Sequence, residues 1–330
     1  MNAMKAAAVS AVAIAIALTV SLSGQGKKTY SAPKTPWGDP DLQGVWNDAT
    51  STPLQRPNGT KDVLSDEEAA DFQAALANEL TRDRRDGGNA VDVNRAYNDH
   101  WMDSRRLKIT ADHRTSLIVE PRDGRIPPLV PLSPERQAAR AARAGANARF
   151  NDGLPDEHLD MSLPVRCIIR TDSPPYLPTI YNNNFQIFQS PGVVAIGPEM
   201  IHSARMIYVD GRPHLNRGLK QWLGDSRGRW DGATLVVETT NFRPDEGVVF
   251  QGADPATFKI TERFTRVDPT SMNYEFTVED PRTWTKPWTA IVPWNKVDPG
   301  EQMFEYGCHE DNFDIVHFLV GARNRQKNAR

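Results

Sequence analysis

The chain has 330 residues, of which 39% are hydrophobic, 25% charged and 8% aromatic, which excludes a collagen-like, fully disordered or polytopic membrane protein. Its 39 Lys and Arg against 42 Asp and Glu leave a formal charge of −3, with no electrostatic footprint for nucleic acid. The length suits one large domain or two small ones, with ample material for a core.

Taken in chain order, residues 1–23 read as a secretory signal. Lys5 supplies the positive start, an Ala-rich apolar run follows to Val20, and Ser21-Leu22-Ser23 places small residues where signal peptidase inspects them. The apolar run falls short of the roughly 20 residues of a spanning helix, and no other stretch could cross a bilayer. The expectation is an exported protein, periplasmic or extracellular, with no membrane partner after cleavage. Residues 24–36 read as a polar tether. Trp37 and Trp46 then sit among turn formers and are expected to clip this segment onto the body.

Ser65 and Glu68 form a capping box for a helix carrying Ala69, Phe72, Ala75, Leu76 and Leu80 at helical spacing. Residues 116–120 read as a strand. Ser133-Pro134-Glu135 starts a second, Ala/Arg-rich helix running to about Asn147. From about Val165 the pattern changes to short apolar or alternating runs separated by turn signals. Strands are expected near 165–170, 184–189, 192–197, 200–209, 219–223, 227–230, 233–239, 257–267, 272–279, 286–292 and 302–308. Their short connectors imply antiparallel pairing. The fold class is therefore mainly β: an antiparallel meander closed into a lipocalin-like β-barrel, with a two-sheet sandwich as the alternative. A short C-terminal helix is expected over 312–321. The division is a signal at 1–23, a tether at 24–36, an N-terminal segment at 37–160 whose helices pack on the body, and a barrel domain at 161–330.

Cys167 and Cys308 lie 141 residues apart. Export would permit a disulfide between them, with a loop-closure contribution of roughly 5 kcal/mol. Two separately buried thiols are the alternative reading.

Several motifs are distinctive: Pro36-Trp37-Gly38-Asp39-Pro40-Asp41-Leu42-Gln43-Gly44-Val45-Trp46, Asp210-Gly211-Arg212-Pro213-His214, Trp222-Leu223-Gly224-Asp225-Ser226-Arg227-Gly228-Arg229-Trp230, the run from Thr234 to Phe242, and Tyr306-Gly307-Cys308-His309-Glu310. Together they resemble a family of exported proteins common in environmental bacterial genomes. The resemblance covers nearly the whole mature chain. It implies export and a single-unit architecture, and it implies no catalytic residue.

The residues themselves offer candidates for chemistry. His202 lies in a strand-like run, with Ala204, Met206 and Tyr208 on one face and Ser203, Arg205 and Ile207 on the other. His309-Glu310 follows the last expected strand. A histidine beside a carboxylate, desolvated in a barrel, can do acid–base work, so His202, His309 and Glu310 are the catalytic candidates. Arg205 and Arg263 are candidate anion clamps, and Trp284 and Trp288 candidate stacking platforms for a substrate ring. The bland alternatives are a structural polar cluster and ordinary barrel core. Glu310 and His317 are too far apart for a His-Glu-x-x-His zinc helix, and no metal is expected. Nothing matches a phosphate-binding loop, dinucleotide fingerprint, haem-attachment site or calcium loop, so no cofactor is expected. Residues 224–228 lack the Gly-x-Ser-x-Gly pattern and read as a turn with Asp225 bonded to local backbone. Two functions remain. One is an exported enzyme performing hydrolysis, elimination or isomerisation on a small organic molecule. The other is a non-catalytic protein holding an apolar or aromatic molecule inside the barrel.

Overall fold

A computed structural model describes residues 30–80, 103, 108–138, 141, 155–170, 173–179, 181–201, 203–244, 249–250, 252–310 and 312–328. Ten strands form one sheet: β1 (Gly44–Asn47), β2 (Ile118–Glu120), β3 (Asn184–Ser190), β4 (Val193–Pro198), β5 (Arg205–Tyr208), β6 (Asp225–Asp231), β7 (Thr234–Thr240), β8 (Lys259–Arg266), β9 (Ser271–Glu279) and β10 (Trp288–Lys296). Their order is β1-β3-β4-β5-β6-β7-β8-β9-β10-β2, and a further β1–β10 pairing closes a nine-strand barrel with β2 attached outside the ring. The barrel expectation holds. The sheet is mixed, because β5 and β6 run parallel.

That exception has a topological cause. Residues 209–224 separate β5 from β6. A connector of that length permits a crossover, whereas a hairpin would force antiparallel pairing. The apolar residues at 219–223, expected as a strand, lie in this crossover and contribute only an isolated bridge from Gln221 to Phe242. The strands expected at 165–170 and 302–308 are also absent; both stretches are turn and coil. The N-terminal segment does more than pack on the body. Its β1 is a barrel stave, pairing Trp46 with Phe185 on one side and with Lys296 on the other. The expected boundary at 160 therefore cuts through the barrel, and Ser31–Arg330 forms one compact unit.

The longest helices among the described residues are α1 (Asp66–Leu80) and α2 (Asp314–Asn328). The expected capping box is present: Glu68 accepts from the Ser65 N–H at 2.7 Å, and the Glu68 N–H donates to Ser65 Oγ at 3.3 Å. Residues 134–138 are helical as expected, while the stretch on to 147 falls outside the described residues except for Ala141. Cys167 and Cys308 form a disulfide.

Strict alternation builds the core. β8 turns Ile260, Glu262 and Phe264 inward, β9 turns Met272, Tyr274, Phe276 and Val278, and β10 turns Trp288, Ala290, Val292 and Trp294. Phe185 stacks on Trp294 at 4.6 Å, and Phe264 packs on Tyr274 at 4.9 Å. These rings fill the lumen that the sequence reading reserved for a ligand. Among the described residues, no helix is long and apolar enough to cross a membrane.

Candidate functional site

A buried ion pair interrupts the apolar lumen. Glu262 on β8 meets Arg205 on β5 across the barrel, and neither side chain is exposed by more than 1%. Arg205 Nη1 donates to Glu262 Oε1 at 2.9 Å and to the Tyr176 hydroxyl at 3.3 Å, and Nη2 donates to Glu262 Oε2 and to Thr239 Oγ1. Arg205 Nε donates to Ser226 Oγ at 2.9 Å, and the Tyr274 hydroxyl donates to Glu262 Oε1 at 2.9 Å. Burial opposes the guanidinium charge, but Glu262 and Tyr176 outweigh it and hold Arg205 firmly protonated. Burial first, then Glu262, pushes the Tyr274 phenol well above its ordinary range. Every member has a partner, which is the condition for a buried ionic network to hold a fold together. Arg205 shares a face with Ile207, as the period-2 count grouped them, and the structure makes that face the inner one; its charge is answered by Glu262, which leaves it unsuited to clamp a ligand anion.

The other candidates scatter. His202 lies outside the described residues. His309 and Glu310 follow Cys308 in an exposed turn, Glu310 donating its N–H to Gly307 O at 3.0 Å. Glu310 borders a shallow depression of about 510 Å³ beside the disulfide. Arg263 stands on the outer face of β8, paired with Asp231 at 3.1 Å and Glu275 at 3.9 Å. Trp284 and Trp288 are buried, edge to face at 6.0 Å, and Phe250 packs on both. They are barrel core rather than an open platform. Among the described residues, no group of three His, Cys, Asp or Glu side chains could hold a metal ion.

The larger cavity, about 680 Å³, opens at the β5–β6 seam. Only two residue pairs register there, Ile207 with Ser226 and Tyr208 with Arg227. On β5, Arg205 and Ile207 are buried while Met206 and Tyr208 face out. The crossover folds back over this outer face. Gly211 takes a positive φ of 79° to turn the chain, and Arg212 pairs with Asp210. Arg227 Nε donates to Pro213 O at 2.8 Å, the Leu215 N–H donates to Asp225 Oδ2 at 2.9 Å, and Asn241 Nδ2 donates to Leu215 O at 3.0 Å. The returning strand of the loop needs glycine at 224. Its φ is +69°, and a Cβ there would sit 2.6 Å from Thr239 Cγ2 and 2.8 Å from the Phe242 ring.

This arrangement places cations on rings. The Arg212 guanidinium lies 4.1 Å from the centroid of Tyr208, with Arg227 at 5.4 Å from the same ring, and Arg243 lies 4.3 Å from Trp222. Lys220 adds a fourth outward charge and has no ion-pair or hydrogen-bond partner among the described residues. Against these stands one lining carboxylate, Asp225, which pairs with Arg227 Nη1 at 2.7 Å. Met206, Leu215 and Leu223 supply an apolar wall. Behind the wall, His214 Nδ1 lies 2.8 Å from Asp225 Oδ2, and its Nε2 lies 3.4 Å from Glu238 Oε1.

Of these side chains, only Arg205 is among the site candidates that the sequence offers. The signal was present in the motifs at 210–214 and 222–230, which were read for compartment and turns. Asp225 does not bond a local turn as expected: 225–231 is β6, and its carboxylate accepts from the Leu215 N–H, ten residues back across the crossover.

A separate feature marks the end of β1. Asp48 is fully buried, and among the described residues no other residue gives either carboxylate oxygen a hydrogen-bond partner. Burial first, and the nearby Asp103 second, push its carboxyl well above the ordinary range.

Comparison with protein-family models, curated proteins and solved structures found no match to this chain.

Proposed function

We propose that this is an exported binding protein for a small organic anion with an apolar or aromatic body, held in the cleft at the β5–β6 seam. The observation that carries the reading is the cleft's lining: cationic side chains spread over Tyr208 and Trp222, next to an aliphatic wall, in a volume suited to one small molecule. A carboxylate or sulfonate would meet Lys220 and Arg243, while its hydrocarbon part would cover Met206, Leu215 and Leu223. The ligand site thus moves from the lumen, which aromatic side chains fill, to the outside of the wall. Binding is favoured over proton transfer because both His214 nitrogens face carboxylates, and the described His309 stands in an exposed turn. Export is supported by the disulfide, which needs an oxidising compartment.

Isothermal titration tests this with 1-naphthoate and its uncharged analogue 1-naphthamide. Naphthoate should bind and the amide should bind at least about tenfold more weakly, the scale of a lost charge-assisted hydrogen bond. Lys220→Gln with Arg243→Gln should remove that preference. Equal binding of the two probes, or a preference that survives the double substitution, would sink the reading.

A further inference from the structure

Every ring nitrogen of His214 faces a carboxylate: Nδ1 faces Asp225 at 2.8 Å, and Nε2 faces Glu238 at 3.4 Å. A neutral imidazole has one N–H, so one nitrogen would turn a lone pair toward a carboxylate oxygen. Only the imidazolium offers a donor to both. His214 also sits between Pro213 and Leu215, which line the cleft, and these neighbours are tied to β6 through Arg227 and Asp225.

We propose that His214 is a proton-operated latch on the anion cleft: protonated, it pins the crossover loop to β6 and β7 and adds a positive charge behind the binding wall. The proposal rests on the binding reading above. The groups that face it among the described residues are Asp225 from β6, Glu238 from β7 and the Thr240 hydroxyl at 3.5 Å. Around them, Arg227 is committed to Asp225, Arg212 to Asp210, and Lys259 on β8 stands 3.7 Å from Glu238.

The consequences follow from charge. Protonated His214 and Arg227 balance Asp225 and Glu238. When His214 loses its proton, Nε2 repels Glu238, which can turn to Lys259, and the imidazole keeps only its tie to Asp225. The cleft loses a positive charge in the same step. Both changes weaken anion binding once the proton is lost. By linkage, a bound anion must in turn favour proton uptake.

The test is the affinity for 1-naphthoate from pH 5 to pH 8, a range in which the probe stays ionised. Wild type should lose about fivefold in affinity across the step, the scale of one nearby surface charge. His214→Gln should abolish the step. Glu238→Gln, at a half-exposed position, should keep it but move its midpoint to lower pH, because the imidazolium has lost a carboxylate. An unchanged step in His214→Gln, or a flat wild-type profile, overturns the latch. If naphthoate binds at no pH, the binding reading has failed instead. The latch is then judged without ligand, by NMR titration. Backbone amides of residues 210–216 should shift at the His214 midpoint, and that midpoint should fall in Glu238→Gln. Amide shifts that ignore His214 overturn it.

Discussion

The barrel has one long wall and two short closures. From β6 to β10 each neighbouring pair registers over six to eight residues. The closures, β1–β10 and β5–β6, register over two pairs each. They are completed differently. At the first, Trp46 fills the gap, its indole N–H donating to Leu42 O at 2.9 Å, with Arg266 and Lys296 over its ring. At the second, the gap is left as a cleft, and the cations sit over rings that are half-buried. Short pairing is therefore compatible with a sealed joint. What makes the β5–β6 joint a site is the crossover, which brings polar groups where a hairpin would bring another stave.

The comparison can be broken first through the network that ties the two regions together. Glu262→Leu leaves Arg205 charged and unpaired in the lumen, and should cost about 3–5 kcal/mol in denaturant unfolding. Adding Arg205→Met should recover most of that loss. A single variant as stable as wild type would show that the cross-barrel pair does not hold β5 to β8.

At the open joint, Gly224→Ala meets both a left-handed backbone and contacts below 3 Å with Thr239 and Phe242. It should destabilise by about 2 kcal/mol or more, and it should weaken naphthoate binding beyond that global effect, because residue 224 lines the cleft. Normal binding by a destabilised variant would separate the turn from the site.

The smallest effect is expected at the sealed joint. Asp48 has a raised carboxyl pKa in the folded protein, so its contribution is fully present below the ordinary carboxylate range and is lost as pH rises toward the folded value. Asp48→Asn should therefore match wild type at low pH and become more stable than wild type as pH rises to neutral, by on the order of 1 kcal/mol or more. A thermal-melt difference that does not change with pH would argue against a buried, unpartnered acid.

The long wall was legible in sequence because each of its strands has one face in the core. Met272, Tyr274, Phe276 and Val278 alternate with polar residues, and Asp268-Pro269-Thr270 marks the turn before them. The closures were not legible for the same physical reason. Leu219, Trp222 and Leu223 look like a strand, but they themselves lie in the crossover, and composition does not distinguish a stave from a cleft wall. The run at 302–308 likewise has strand-like composition and no neighbour to pair with. Trp46 was assigned to a clip because its two neighbouring strands are far along the chain. The site was harder still. Arg212, Lys220, Arg227 and Arg243 come from four different stretches, so nothing local marks them as a group until the loop folds back.

The disulfide encloses β3 through β10 within a single covalent circuit, from Cys167 to Cys308. A protease that nicks any one connector inside that circuit, the crossover included, separates no fragment from the rest. The two pieces stay linked through sulfur, and the strands on either side of the cut keep their neighbours. Damage at the crossover would alter the cleft before it dismantled the molecule.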